Sequence, residues 1–220
     1  MIEQKNKKII ALACSPSKGR NSDYMLDFFL RGISVFDVNN KIQIEKIYLN
    51  DIYIEMYKYE NSHGPTKNEK EFAELAEKIK NADGLIIATP TYNFSVPAQL
   101  KNFVDRIRFI SVDLSKRDFW GQPIGLLGNI SMFFLVSGGI SKFAQNVLFF
   151  AFPAFWLRGV FLYFGAKVFG TYYSGDVRTF ENQKILNKCE SLGKKYAKNV
   201  LSEKGNGILE KIFWRPKQKD

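Results

Sequence analysis

Short apolar runs alternate with helical stripes along the chain, and polar residues bound each run. The runs predict five strands, at residues 8–14, 41–48, 84–89, 131–136 and 166–172. Residues 123–127 form a further strand candidate, which competes with 131–136 for one place in the sheet. Continuous apolar strands separated by helices are typical of sheets covered on both faces, so the pattern predicts an α/β fold with a parallel sheet.

Apolar residues at helical spacing predict the connections between these strands. The stripes run from Met25 to Phe36, Phe72 to Ile79, Val96 to Ile107 and Ile185 to Val200. Two short apolar helices are predicted at 141–152 and 154–164, and an irregular excursion at 51–65. Ser22 and Ser95 are predicted N-caps, and Thr66 with Glu69 is a predicted capping box.

Polar loops follow three of the strands, at 15–22, 90–95 and 137–141. Ligands of open α/β sheets bind at the carboxyl ends of the strands, so these loops are the candidate site. The first loop joins a strand to a helix N-terminus, which suits a phosphate. Its candidate phosphate contacts are the hydroxyls and amide of Ser15, Ser17, Asn21 and Ser22, with charge from Lys18 or Arg20.

Common nucleotide-binding fingerprints are missing from the sequence. No Gly-x-Gly-x-x-Gly follows the first strand, and no Gly-x-x-x-x-Gly-Lys-Ser/Thr occurs in the chain. The loops therefore favour a ligand with one phosphate and a planar ring over a dinucleotide or a nucleoside triphosphate.

Two segments resemble the NAD(P)H-dependent FMN reductases. Residues 15–22, Ser-Pro-Ser-Lys-Gly-Arg-Asn-Ser, are similar to the phosphate loop of that family. Residues 82–106, which include Thr-Pro-Thr-Tyr-Asn-Phe-Ser-Val-Pro at 89–97, are similar to its second signature. The resemblance implies a flavodoxin-like, doubly wound, five-stranded parallel sheet in the order 2-1-3-4-5, here with an apolar helical excursion.

The resemblance also implies FMN as a noncovalent cofactor and assigns residues to it. The phosphate maps to Ser15, Ser17, Lys18, Arg20, Asn21 and Ser22. The isoalloxazine ring maps to Pro90, Thr91, Tyr92, Asn93 and Phe94, and a third loop to Ser137, Gly138 and Gly139. If 123–127 were the core strand, Gly128 and Asn129 would take the third role instead.

The reaction that the resemblance implies is an electron transfer. NADPH or NADH would give hydride to the flavin, and the reduced flavin would pass electrons to a flavin, a quinone or another small acceptor. No catalytic side chain is assigned. The alternatives are a flavodoxin-like electron carrier and a membrane-associated flavoprotein. Flavodoxins are acidic as a group, and the net charge of +10 weighs against the carrier.

The chain departs from the family in three places. Cys14 and Ser17 stand where the family often has glycine and arginine. The excursion at 51–65 has no cysteine, which excludes the cluster of the related iron–sulfur flavoproteins. The stretch 141–164 matches no part of the family pattern.

The histidine and cysteine content and the N-terminal residues bear on metal sites, disulfides and the cellular compartment. His63 is the single histidine, which excludes a histidine-pair metal site, and we interpret it as a surface residue or a proton donor to substrate. Cys14 and Cys189 are predicted core residues rather than a disulfide. The first residues do not resemble a signal peptide, so the expected compartment is the cytoplasm.

The chain is expected to fold as one flavin-binding domain over 1–204, followed by a basic tail over 205–220. The phenylalanine-rich stretch 143–164 and Trp120 predict a subunit interface or core, and hence a homodimer. The competing hypothesis is peripheral lipid contact through this stretch and the tail. Nucleic acid is not an expected partner. Asp105 is predicted to pair with Lys101 on one helix face.

Overall fold

A computed structural model describes residues 6–118, 121–148, 152–176 and 178–202. Four predictions concern residues outside this range: the basic tail at 205–220, Trp120, Phe149 and Phe150.

A five-stranded parallel sheet forms the centre of the molecule. Its strands are β1 (Lys7–Ala13), β2 (Ile42–Tyr48), β3 (Gly84–Pro90), β6 (Ser131–Ser137) and β7 (Lys167–Ser174). They are ordered β2-β1-β3-β6-β7, and every neighbouring pair is parallel. The predicted order 2-1-3-4-5 is therefore confirmed. Strand β6 is buried along its whole length, as its uninterrupted apolar sequence predicts.

Helices cover both faces of the sheet. They are α1 (Asn21–Phe36), α2 (Lys70–Lys80), α3 (Ala98–Arg106), α4 (Arg108–Ser111), α5 (Lys142–Leu148), α6 (Ala154–Tyr163) and α7 (Gln183–Ser202). One hydrophobic layer joins the sheet to α1 and α7, and the other joins it to α2, α3 and α6. Gly32 and Gly193 lie at the crossing of α1 and α7, where an added Cβ would approach a backbone oxygen of the other helix to 2.1 and 2.0 Å.

The strand candidate at 123–127 does not belong to the main sheet. Residues Pro123–Gly125 form β5, which pairs antiparallel with β4 (Val112–Arg117) in a separate two-stranded sheet. Strand β4 was not predicted, because its residues after Val112 are mostly polar and exposed. Since β6 fills the core position, the third loop begins at Ser137, and the alternative at Gly128 and Asn129 is wrong.

Several predicted helix starts are also wrong. Helix α1 begins after Arg20, so Ser22 lies in its first turn, and α3 begins after Pro97 rather than at Ser95. Of the predicted capping box, the Glu69 carboxylate accepts from the Thr66 backbone N–H at 2.7 Å. The Thr66 hydroxyl donates to Glu55 instead. For α3 a proline, and for α2 the tertiary contacts of Thr66 and Glu69, override the local signal.

The apolar stretch after β6 divides into two environments. On α6, Leu157 and Phe161 are buried against the sheet, whereas Phe143 on α5 and Phe155 on α6 are 77% and 67% exposed. Helix α5 is described over Lys142–Leu148, and residues 149–151 of the predicted helix lie outside the described range. Within the described ranges, none of the helices has both the length and the apolar character needed to cross a bilayer.

Candidate functional site

Backbone hydrogen bonds connect the loops at the carboxyl ends of the parallel strands. The Asn50 side chain, after β2, donates to the Ser15 carbonyl after β1 at 3.0 Å. The Thr91 N–H, after β3, donates to Ser137 at 2.7 Å, and the Gly138 N–H donates to Ser174 at the end of β7 at 2.7 Å. Because β1, β3 and β6 are adjacent in the sheet, the three predicted loops lie side by side at the carboxyl ends of these strands.

The first loop turns sharply before α1. The Ser15 hydroxyl donates to the Ser17 carbonyl at 2.8 Å and accepts from the Ser17 N–H at 3.2 Å, which closes the turn. Gly19 has φ +66°, a conformation that glycine adopts without steric cost. The loop therefore leads its backbone N–H groups directly to the helix N-terminus, the arrangement that binds phosphates.

The other predicted phosphate contacts lie around this turn. Arg20 is exposed at the start of α1, and Ser22 is buried in its first turn. The Asn21 side-chain oxygen accepts from the Phe180 N–H at 3.3 Å. Lys18 forms an exposed ion pair with Asp51 at 2.6 Å and lies 4.5 Å from the centre of the Tyr48 ring. All six residues surround the turn, and Lys18 is held at its rim by contacts with the segment after β2.

A buried carboxylate at this loop was missed by the sequence analysis. Asp23 is 3% exposed, and its side chain accepts from the Gly19 N–H at 2.8 Å. Lys46 on β2 lies 2.6 Å from the Asp23 carboxylate and 2.6 Å from that of Asp27. Partial burial would lower the pKa of Lys46, but its hydrogen bonds to Asp23, Asp27 and Tyr48 outweigh that effect and raise it. The partners are 23 positions apart, so no local motif could reveal them.

The second loop contains a strained two-residue turn. Tyr92 and Ser95 exchange two backbone hydrogen bonds of 2.9 Å, and the central residues Asn93 and Phe94 have φ values of 49° and 64°. This conformation is typical of type I′ turns, which prefer asparagine followed by glycine. Phenylalanine is unfavourable there, because its Cβ crowds the backbone in the left-handed region. The turn keeps the side chains of Tyr92 and Phe94 exposed at the edge of the sheet.

Polar groups face the junction of the second and third loops. The Thr91 hydroxyl oxygen is buried and makes no hydrogen bond to any residue in the described part of the chain. Gly138 lies against Tyr173, where an added Cβ would come within 2.2 Å of the Tyr173 hydroxyl. That hydroxyl donates to the Ile140 carbonyl at 3.0 Å and so fixes the third loop on β7. Pro90 ends β3, and Gly139 is exposed at the tip of the third loop.

The remaining candidates lie where the sequence analysis expected them. Cys14 and Cys189 are buried. Burial raises the pKa of both thiols, to about 12 for Cys189, so neither is a reactive thiolate at neutral pH. His63 is exposed beside Tyr59. Lys101 and Asp105 form the expected ion pair on α3 at 2.6 Å.

The residues present fit a ligand with one phosphate and a flat ring. The first loop supplies N–H groups and hydroxyls at a helix N-terminus, and Lys46 offsets the negative charge of Asp23 below them. The unpaired Thr91 hydroxyl and the turn at Asn93 and Phe94 lie next to it, on the adjacent strand of the sheet. Such a site meets the needs of FMN.

Comparison with known proteins agrees with this geometry. Residues 7–165 match the family model described as NADPH-dependent FMN reductase. Over 165 residues the chain is 29% identical to an FMN-dependent NADH:quinone oxidoreductase of Metamycoplasma arthritidis, covering 74% of this chain and 82% of that one.

Solved structures share the fold at lower identity. An FMN-dependent NADH-azoreductase of Bacillus anthracis, in complex with FMN, aligns with a TM-score of 0.66 and 20% identity, over 89% of this chain and 99% of that one. A putative quinone reductase of Klebsiella pneumoniae aligns with a TM-score of 0.67 and 15% identity, over 86% and 83%. The expectations of a flavodoxin-like fold and of an FMN-dependent oxidoreductase are confirmed. The chain belongs to the NADPH-dependent FMN reductase family.

Proposed function

We propose that this protein is an FMN-dependent NAD(P)H:quinone oxidoreductase. The observation that carries the proposal is the row of three loops joined along one edge of the sheet, with a helix N-terminus at one end and the exposed aromatic turn beside it. The names of the relatives support a quinone as the acceptor and NADH or NADPH as the donor.

The chain's own residues bind and orient the cofactor. Residues 15–22 hold the phosphate through backbone N–H groups and hydroxyls, with Lys18 and Arg20 adding positive charge. Residues 90–94 would hold the ring, with the Thr91 hydroxyl as a hydrogen-bond donor to it. Ser137, Gly138 and Gly139, which follow the buried run of β6, would complete the ring site. Bound FMN supplies the redox chemistry, by accepting hydride from a nicotinamide and returning electrons to an acceptor.

Titration of the apoprotein with FMN and with riboflavin tests the phosphate assignment. Ser15→Ala removes the hydrogen bonds that close the phosphate loop, and Asn21→Ala removes a side-chain amide at the start of α1, so each should weaken FMN binding by about tenfold or more. Riboflavin lacks the phosphate, and its affinity should change less. Failure of the wild-type protein to bind micromolar FMN would refute the proposal.

Stopped-flow reduction tests the reaction. NADH or NADPH should bleach the bound FMN rapidly, and 2-methyl-1,4-naphthoquinone should restore its colour. Bleaching only by a reduced partner protein, and not by either nicotinamide, would instead establish an electron carrier.

We also propose that the protein is a homodimer. Phe143, Val147 and Phe155 are exposed on α5 and α6 near the carboxyl edge of the sheet. Exposed apolar residues grouped in this way are typical of a subunit interface. Light scattering in dilute buffer should give twice the mass of one chain. A monomer that floats with anionic vesicles would favour lipid contact instead.

The compartment that we propose is the cytoplasm. It supplies the nicotinamide donor, and its reducing conditions suit two buried cysteines that form no disulfide.

A further inference from the structure

A buried ion pair joins the start of α2 to the end of α3. The side chains of Glu69 and Arg106 are both fully buried, and two hydrogen bonds of 2.7 Å connect them in a bidentate pair. The same guanidinium donates to the carbonyls of Glu55 at 2.8 Å and Gly64 at 3.1 Å. The Glu69 carboxylate accepts from the backbone N–H groups of Glu55 at 2.9 Å and Thr66 at 2.7 Å. Both partners therefore hold the chain segment that precedes α2.

Asn102 holds the same segment from one turn earlier on α3. Its side-chain oxygen accepts from the Tyr57 N–H at 2.8 Å, and its nitrogen donates to the Glu55 carbonyl at 3.0 Å. We call Glu69, Asn102 and Arg106 the polar clamp, and residues 52–66 the clamped segment. The clamp satisfies backbone groups that have no partner in regular secondary structure, so it fixes where the segment lies.

The clamped segment starts at the same end of the sheet as the loop assigned to the flavin ring. It follows β2 directly, and the Gln99 side chain at the start of α3 donates to the Leu49 carbonyl at 3.3 Å. Helix α3 itself begins three residues after the turn at 92–95. Ile52 and Ile54 pack on the core, whereas Tyr53 and Tyr57 are exposed. The clamped segment thus carries two exposed aromatic side chains and follows the carboxyl end of β2, at the same end of the sheet as the loop of Tyr92 and Phe94.

Stability alone is a weak reason for burying such a pair. Removing two charges from water costs several kcal/mol, and apolar residues of similar volume often replace a buried ion pair with no loss of stability. What an apolar pair would lose here is the set of four hydrogen bonds to the backbone of the segment. The contribution specific to this pair is therefore the position of the segment.

We propose that the polar clamp positions the clamped segment as one wall of the electron-acceptor site, with Tyr53 and Tyr57 contacting a planar quinone. This inference rests on the proposed function. Glu69, Asn102 and Arg106 are positioning residues, because they touch the segment and not the acceptor. Aromatic rings stack on flat ligands, which gives the wall its preference for quinones over small inorganic acceptors.

The test compares two acceptors in the holoprotein. The variants are Arg106→Lys, which keeps the charge but not the bidentate geometry, and the pair Tyr53→Ala with Tyr57→Ala, which changes exposed side chains only. Each should raise the KM for 2-methyl-1,4-naphthoquinone by about tenfold. Bleaching of bound FMN by NADH and the rate with ferricyanide, which needs no stacking wall, should stay within about twofold of wild type.

Asp105→Asn is the matched control, because it breaks an exposed ion pair on the same helix. It should leave all three measurements unchanged. If Arg106→Lys does not fold, the tyrosine variant still decides the question. A wild-type quinone KM in the tyrosine variant overturns the inference and leaves the proposed function intact. If NADH bleaches the FMN bound to the wild-type protein but the quinone does not reoxidise it, both the inference and the proposed function are overturned.

Discussion

Phe94 occupies a backbone conformation that a side chain of its kind disfavours. Its φ of 64° lies in the left-handed region, where an L-residue costs roughly 1–2 kcal/mol. Such strain is found at functional sites, where the surrounding structure holds it in place. In this protein it keeps an aromatic ring exposed next to the proposed flavin.

The substitution Phe94→Gly tests separately the effect of this strain on stability and the effect of the aromatic ring on FMN binding. Urea unfolding of the apoprotein should show a gain of about 1 kcal/mol, because glycine adopts this conformation without strain. FMN affinity should fall, since the ring contact is lost. Asn40→Gly is the control: Asn40 has φ 52° outside the site and belongs to a type that tolerates it, so FMN affinity should not change. Unchanged FMN affinity in Phe94→Gly would show that the ring does not contact the flavin.

Gln145 is an unusual buried residue on α5. It is 2% exposed, and among the described residues neither its amide oxygen nor its nitrogen has a hydrogen-bond partner. An unsatisfied buried polar group costs about 1–3 kcal/mol. The variant Gln145→Leu should therefore raise the melting temperature of the apoprotein by a few degrees. Asn146→Leu changes an exposed neighbour and should give no gain. Equal melting temperatures for wild type and Gln145→Leu would contradict the assigned cost.

Among the strands and helices, local pattern was sufficient wherever an element buries an apolar run or stripe. The five strands of the main sheet and the stripes of α1, α2, α3 and α7 were all predicted. The hydrophobic pattern did not predict β4, which is polar and which pairs with β5, a segment that follows it in the chain. It also failed for helix starts, because Pro97 and the Glu69–Arg106 pair override the local capping signals.

The ion pair between Lys46 on β2 and Asp23 on α1 leads to a prediction about FMN binding at the phosphate loop. Lys46 compensates the buried Asp23 carboxylate, which accepts from the Gly19 N–H. In Lys46→Met the uncompensated charge would repel the phosphate, so FMN should bind about tenfold more weakly while riboflavin changes little. Adding Asp23→Asn should restore FMN binding. These affinities are measured by quenching of flavin fluorescence.

Lys78→Met supplies the control for that experiment. It breaks an exposed ion pair with Glu45, the residue before Lys46 on β2, and should leave FMN affinity unchanged. Equal weakening of FMN and riboflavin in Lys46→Met would indicate a general loss of structure and contradict the charge argument.

For the molecule as a whole, the location of the candidate site was predictable and its supporting interactions were not. The three loops follow apolar strands, and the carboxyl edge of a parallel sheet brings such loops together. The polar clamp could not be foreseen, because Glu69 and Arg106 are 37 positions apart and each has an ordinary local interpretation as a helix residue. The apolar stretch after β6 was ambiguous for a similar reason: only the packing of α6 on the sheet shows that Leu157 and Phe161 are core and Phe155 is not.

Lowering the pH should reduce the free energy of unfolding of the protein, in part through protonation of Glu69. Burial would raise the pKa of this carboxyl group, but hydrogen bonds from Arg106 and from the backbone of Thr66 and Glu55 lower it from 4.5 to about 2. A carboxyl whose pKa is lower in the folded state binds protons preferentially when unfolded. Its contribution to stability is therefore complete above about pH 4.5 and is lost as the pH falls towards 2.

The double variant Glu69→Leu with Arg106→Met lacks the Glu69 carboxyl group. The difference in stability between wild type and this variant therefore isolates the effect of protonating Glu69. Exposed carboxylates with lowered pKa values, such as Asp113 and Glu190, titrate equally in both proteins and cancel in the difference. Urea unfolding of the two apoproteins between pH 6 and pH 3 should show the free energy of unfolding falling more steeply for wild type below about pH 4.5. At neutral pH the double variant should be the less stable protein, because the backbone groups of Glu55, Gly64 and Thr66 lose their hydrogen-bond partners. Parallel pH profiles would show that Glu69 is not held ionised by Arg106, and the polar clamp would then lose its electrostatic basis.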